Sequence, residues 1–145
     1  MLLEGNFRLP SDREKVWEFV SEPSKIIECV PGLQSFTVGE NKRINATVKV
    51  AIGFIRGTFQ ATSKVVKEDH DTHTAVLELS GSGAGSGFSA IVDITVAEVG
   101  AESEVGWKAD VKISGPLGSL AKPLVEGNVK KIVNQLFEGV KAKLS

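Results

Sequence analysis

From residue 44 to residue 113 apolar and polar residues alternate with few interruptions, and this period of two constrains the fold more than any other feature of the chain. Ile44, Ala46, Val48, Val50 and Ile52 fall on one face of a strand, and Arg43, Asn45, Thr47 and Lys49 on the other. After Gly53-Phe54 the phase changes. Ile55, Phe59, Ala61, Ser63 and Val65 then alternate with Arg56, Thr58, Gln60, Thr62 and Lys64, which marks a turn between antiparallel strands. Three further runs follow, through Ala75, Leu77 and Leu79, through Phe88, Ala90, Val92, Ile94 and Val96, and through Val105, Trp107, Ala109, Val111 and Ile113. Alternation of this kind gives an antiparallel sheet one buried face and one wet face.

Helical spacing flanks this β-rich part, which runs over residues 33–114. Residues 2–9 read as a short strand ended by Pro10. Ser11-Asp12-Arg13-Glu14 fits a capping box, with the Ser11 hydroxyl and the Glu14 carboxylate serving free amides at a helix start. Val16, Trp17, Phe19 and Val20 follow at helical spacing, and Pro23 ends that helix or opens a second, over residues 24–30, closed by Pro31-Gly32. At the other end Leu117, Leu120, Leu124, Val125, Ile132, Val133, Leu136, Phe137, Val140 and Leu144 keep spacings of three and four, which predicts one long helix. Such a helix reaches roughly 40 Å, more than a flat sheet face needs. A curved sheet wrapped around it is the economical packing.

With 145 residues the chain is expected to form a single domain over 1–145. A net charge of -1 excludes duplex nucleic acid as main partner, since phosphate neutralisation needs a basic excess. One cysteine makes no internal disulfide, and no stretch is apolar enough to span a bilayer. No secretory leader is evident, so the expected address is the cytoplasm, at most peripheral to the inner face of the membrane.

Few residues are suited to chemistry. His70 and His73, in Asp69-His70-Asp71-Thr72-His73, read as a polar hairpin tip, because a zinc site needs three or four ligands in fixed geometry. The glycine run at 81–87 precedes an alternating strand, whereas a phosphate loop must open a helix. It reads instead as a sheet-edge segment with backbone freedom, bent or close to a ligand. Cys29 stands in an apolar context without a neighbouring base and reads as a small buried hydrophobe. No catalytic residue, metal or cofactor is expected.

The inward face is unusual for its small residues Ala46, Ala61, Ser63, Ala90 and Ala109, and 15 glycines occur in the chain. Either these let the long helix lie close to the sheet, or they leave a cavity lined by Val50, Ile52, Phe59, Leu77, Leu79 and Trp107.

Four segments together resemble the CoxG family of carbon monoxide dehydrogenase subunits, within the START/SRPBCC superfamily. They are Cys29-Val30-Pro31-Gly32, residues 50–59, the glycine run with Phe88, and Gly115-Pro116-Leu117-Gly118 leading towards Asn134-Gln135-Leu136-Phe137. The resemblance implies an α+β helix-grip fold, with about seven antiparallel strands curved around a long C-terminal helix and two short helices after the first strand. It implies a non-catalytic domain that holds a hydrophobic small molecule, a quinone or other lipid, between sheet and helix; the alternatives are a cyclase- or hydrolase-like enzyme of the same fold and a protein adaptor with a solid, ligand-free core. It also implies service to a molybdenum hydroxylase and at most transient membrane contact. Family members with a C-terminal extension can anchor to membrane, whereas the present sequence stops at Ser145, directly after the helix. On this reading the cavity residues are Val50, Ile52, Phe59, Ala61, Leu77, Leu79, Phe88, Ala90, Trp107, Leu117, Leu120 and Leu124.

Overall fold

In a computed structural model, which describes residues 1–144, the alternating runs form β2 (Leu33–Val38), β3 (Ile44–Ile52), β4 (Ile55–Asp69), β5 (Thr74–Gly83), β6 (Ser86–Val99) and β7 (Glu102–Ser114). With β1 (Leu2–Leu9) they make one seven-stranded antiparallel sheet in the order β1-β7-β6-β5-β4-β3-β2. Each strand from β2 to β6 pairs with its successor, and β1 closes against β7. Between β1 and β2 lie α1 (Arg13–Val20), α2 (Pro23–Ile26) and a 3₁₀ turn at Ile27–Cys29. The last element is α3 (Lys122–Leu144), whose 23 residues span about 34 Å. It touches β1 at one sheet edge and β3 beside the other, so the curved sheet grips the helix as expected for a helix-grip fold.

Burial concentrates in two clusters at opposite ends of the interior. The larger joins Leu3 and Leu9 of β1, Val16, Trp17 and Val20 of α1, and Phe137, Val140 and Leu144 from the end of α3. The smaller joins Ile52, Ile55, Phe59 and Leu117. Helix α3 is pinned by Val125 near its start and by Phe137 to Leu144 at its end, while Val129, Ile132 and Val133 between them are half-buried.

Several local expectations need correction. The long helix does not begin at Leu117: residues Pro116–Ser119 make a 3₁₀ turn, and α3 starts at Lys122 with Pro123 in its first turn, where the missing amide is harmless. The capping box over Ser11 and Glu14 does not form. Asp12 is the cap, its carboxylate accepting from the Lys15 amide at 2.9 Å, and Glu14 instead reaches His73. Replacing Asp12 with alanine should therefore cost about 1 kcal/mol, seen as a lower urea midpoint with unchanged slope.

The glycine run is not a sheet edge. It is the hairpin tip of β5 and β6, two central strands, with Ala84 (φ 50°) and Gly85 (φ 74°) in the left-handed region that a tight two-residue turn demands. Two of its glycines make room for aromatic rings. A Cβ on Gly81 would lie 2.5 Å from Phe88 Cε1, and one on Gly83 would lie 2.8 Å from Phe59 Cδ1.

A β-bulge interrupts β4 between Val65 and Lys67. Val66 is the extra residue and points outward, so the phase reverses and Glu68 pairs with the buried Ala75 on the inner face. The alternation in the sequence places no carboxylate there.

Candidate functional site

The inner face of the central strands is built from rows of cross-strand partners. Ile44, Ser63, Leu79, Ala90 and Val111 form one row; Ala46, Ala61, Gly81, Phe88 and Ile113 form the next. Val65, Leu77, Val92 and Ala109 form a third. Ala61, Ser63, Leu77 and Leu79 share this inward face yet are only half-buried, and they belong to neither packed cluster.

The sequence-predicted residues divide accordingly. Ile52, Phe59 and Leu117 are core members of the smaller cluster, with Val50, Phe88 and Leu120 packed against them, and Phe59 and Phe88 have ring centroids 6.5 Å apart. Trp107 belongs to the larger cluster, its indole lying over Gly5, where an added Cβ would approach to 2.8 Å. Ala61, Leu77, Leu79 and the buried Ala90 line the middle. Leu124 is 42% exposed and sits at the rim, 3.1 Å from the position a Cβ on Gly53 would take.

A polar network at the α1 end escaped sequence reasoning. Lys42 reaches across from the β2–β3 connection to Glu68 at 2.7 Å and to the Ser21 carbonyl at 3.2 Å. His70 Nε2 lies 3.1 Å from the same Glu68 carboxylate, and Trp17 Nε1 donates to His70 Nδ1 at 2.9 Å. With Nδ1 accepting, the proton of neutral His70 sits on Nε2, facing Glu68. His73, 5% exposed, meets Glu14 through Nε2, while its Nδ1 is buried with no hydrogen-bond partner. The two histidines thus form a turn, as expected, and also bind that turn to α1. The tip itself is organised by Asp69. Its carboxyl is held below the usual carboxylate range by the Thr72 amide and then the Asp71 amide. That stabilisation is complete above the ordinary carboxylate range and is lost as pH falls through the lower folded value.

Burial pushes the Cys29 thiol up, with Lys143 opposing and Glu28 reinforcing the shift. The thiol stays protonated at neutral pH and packs against α3 at Gly139, where a Cβ would lie 3.3 Å from its own Cβ. Among the described residues no cluster of three histidine, cysteine or acidic side chains is placed to hold a metal, and no helix is long and apolar enough to cross a membrane. The outer face of the sheet carries an open groove lined by the charged Arg43, Lys64, Glu78, Asp110 and Lys112 together with Ile91, and it also reaches Leu79 and Ala90.

Solved structures share this architecture at low identity. A conserved protein from Geobacillus kaustophilus superposes with a TM-score of 0.90 at 18% identity, over 99% of this chain and 95% of its own. A START superfamily protein from Mycobacterium smegmatis gives 0.72 at 12%, over 99% and 96%. An aromatase/cyclase from Streptomyces sp. R1128 gives 0.63 at 10%, over 99% and 90%. At such identities the likeness shows the fold alone, and that fold is shared by cyclases. Curated proteins yield no match to the sequence. The family model for CoxG, a carbon monoxide dehydrogenase subunit, matches residues 5–145, nearly the whole chain. Family and fold fit a ligand-binding or accessory role, and the chain belongs to the CoxG family of carbon monoxide dehydrogenase subunits.

Proposed function

We propose that this chain is a non-catalytic carrier or accessory protein that holds an apolar small molecule, of the quinone or lipid class, between the central strands and α3. The observation that carries this reading is the half-burial of Ala61, Ser63, Leu77 and Leu79 on the inward face, between two packed clusters. A core without a ligand would draw Leu77 and Leu79 fully out of water. Desolvation supplies the affinity, about 0.8 kcal/mol for each ligand CH₂ removed from water. The Ser63 hydroxyl is a polar group suited to orienting the ligand's head.

The family supports service to a carbon monoxide dehydrogenase-type molybdenum hydroxylase. The absence of catalysis is supported by what the inward titratable group does. Glu68 is engaged by Lys42 and His70 at one end of the interior, away from Ser63 and Leu79. General acid–base work needs a titratable group within reach of the reacting atoms.

Native mass spectrometry of the purified chain, before and after organic extraction, tests the proposal. A retained apolar compound is expected, lost on extraction, and the extracted protein should then bind a fluorescent apolar probe. A ligand-free mass together with no probe binding would falsify the carrier reading.

A further inference from the structure

Among the described residues, β2 is the one strand of the sheet in which no residue is buried. Its inward side chains are Phe36, opposite the buried Ala46, and Val38, opposite the buried Ile44. Phe36 stays half-buried and Val38 is 53% exposed. A strand is fixed in place by burying one of its faces, and here neither face is covered. The other sheet edge differs: Leu3 and Leu9 of β1 are core residues, and α3 packs along that strand.

The ladder shows which backbone groups this edge leaves open. The Gly39 amide donates to the Arg43 carbonyl at 2.7 Å, and the Lys49 amide donates to the Gly32 carbonyl at 2.8 Å. Bonded and unbonded pairs alternate in an antiparallel ladder, so Thr37–Asn45 and Ser35–Thr47 are the bonded pairs between β2 and β3. The N–H and C=O groups of Phe36 and Val38 therefore point away from the sheet, and among the described residues nothing else bonds them. Edge strands are usually guarded by charge or proline. Residues Leu33–Val38 have neither, whereas β1 carries Glu4 and Arg8. The bulge between Leu33 and Ser35 leaves the stretch from Ser35 to Val38 regular.

The geometry points to this edge as an interface between two copies of the chain, with the β2 strands antiparallel about a two-fold axis at Thr37. In that register Phe36 exchanges both backbone bonds with the partner's Val38, and Val38 with the partner's Phe36, so every outward group is satisfied. Thr37 meets the partner's Thr37 on the outer face, and on the inner face the Phe36 ring lies beside the partner's exposed Val38. An axis at Phe36 would instead set Val38 against the bulged Gln34, and one at Val38 would set Phe36 against Glu40 of a 3₁₀ turn. Charge agrees with the pairing. Exposed Glu40 follows β2, and exposed Lys49 lies beside Gly32 ahead of it, so antiparallel copies bring each Glu40 towards the partner's Lys49. Arg43 lies instead over the outer groove with Lys64 and Glu78, and Lys42 is paired with Glu68. A strand of an unrelated protein needs pockets or charges to be selected, and β2 offers none along its length. The interface uses no residue of the proposed ligand site and stands apart from the carrier reading.

A strand of 6 residues per copy falls short of the ~800 Å² that each partner contributes to a standard interface, so the dimer should dissociate on dilution. Sedimentation equilibrium of the full chain, from micromolar to millimolar concentration, reads it, and a monomer–dimer equilibrium is expected. Thr37→Lys sets two like charges face to face across the axis and should weaken the dimer by about tenfold. Val38→Pro removes an amide that bonds nothing within its own chain and should weaken it by about thirtyfold. Both side chains are exposed, so circular dichroism should stay unchanged. Thr37→Cys, oxidised with copper–phenanthroline, should yield a disulfide-linked dimer that the native chain, with Cys29 alone, does not form. A monomer at every concentration overturns the second copy as the occupant of this edge. A dimer unmoved by both variants overturns β2 as its seat, and a dimer whose Thr37→Cys variant stays unlinked overturns the axis at Thr37.

Discussion

Leu79→Asp is expected to lower the affinity for an apolar probe by at least about a hundredfold while the protein stays folded. Leu79 faces the interior between Ser63 and Ala90, its cross-strand partners, and belongs to neither packed cluster. A carboxylate there enters the proposed ligand space without breaking the contacts that hold the two ends together. Burying an uncompensated charge against an apolar ligand costs several kcal/mol, more than the hundredfold requires. Fluorescence titration, with circular dichroism as the control for folding, measures it. Unchanged affinity in a folded variant would remove the Ser63–Leu79–Ala90 row from the site.

Gly83→Val should cost about 3 kcal/mol and lower Tm by about 10 °C. A Cβ at Gly83 would stand 2.5 Å from the Thr58 carbonyl oxygen and 2.8 Å from Phe59 Cδ1. The first neighbour is backbone of an adjoining central strand, and the second is a core ring that is 2% exposed, so neither yields cheaply. Gly100→Ala provides the contrast. Its φ of 61° imposes left-handed strain, but nothing lies within 4 Å of an added Cβ, so the loss should stay near about 1 kcal/mol. Thermal unfolding of both variants separates steric crowding from backbone strain. Equal losses would show that the glycine run serves turn geometry alone.

The strands were legible because a two-residue period leaves a strong mark wherever one face is wet. Residues 2–9 and 33–114 in the sequence correspond to β1 and to β2 through β7. The exceptions arise where tertiary contacts override local pattern. Val65, Val66 and Lys67 give no sign that one of them is extra, yet that bulge turns Glu68 inward. Ser11 and Glu14 have the spacing of a capping box, but His73, fifty-nine positions further on, captures Glu14. The glycines at 81 and 83 advertise freedom of backbone, whereas their use is the space they give Phe88 and Phe59. In the candidate site the apolar character of the twelve residues is written in the sequence and alternation gives the strand positions their face, but Leu117 and Leu120 take their place from a 3₁₀ turn outside α3, which helical spacing does not reveal. Which of them are spent on packing and which remain open depends on where α3 is pinned, and that is set by Val125, Phe137 and Val140 against distant strands. Leu124 illustrates the difference: it keeps the helical spacing but sits at the rim.

The pairing of β1 with β7 also has a consequence in time. Every other neighbouring pair in the sheet joins strands consecutive in sequence, so each hairpin can close as soon as its second strand exists. Leu2 must instead find Asp110, and Leu9 must find Ser103, across roughly a hundred intervening residues. During synthesis β1 and α1 therefore leave the ribosome long before their partner strand does, with Leu3, Leu9, Val16 and Trp17 still unburied. Closing so long a loop is slow compared with forming a hairpin. The meander β2–β7 should assemble first, and the arrival of β1 should be the last and slowest step, during which the growing chain is most exposed to aggregation and to chaperones.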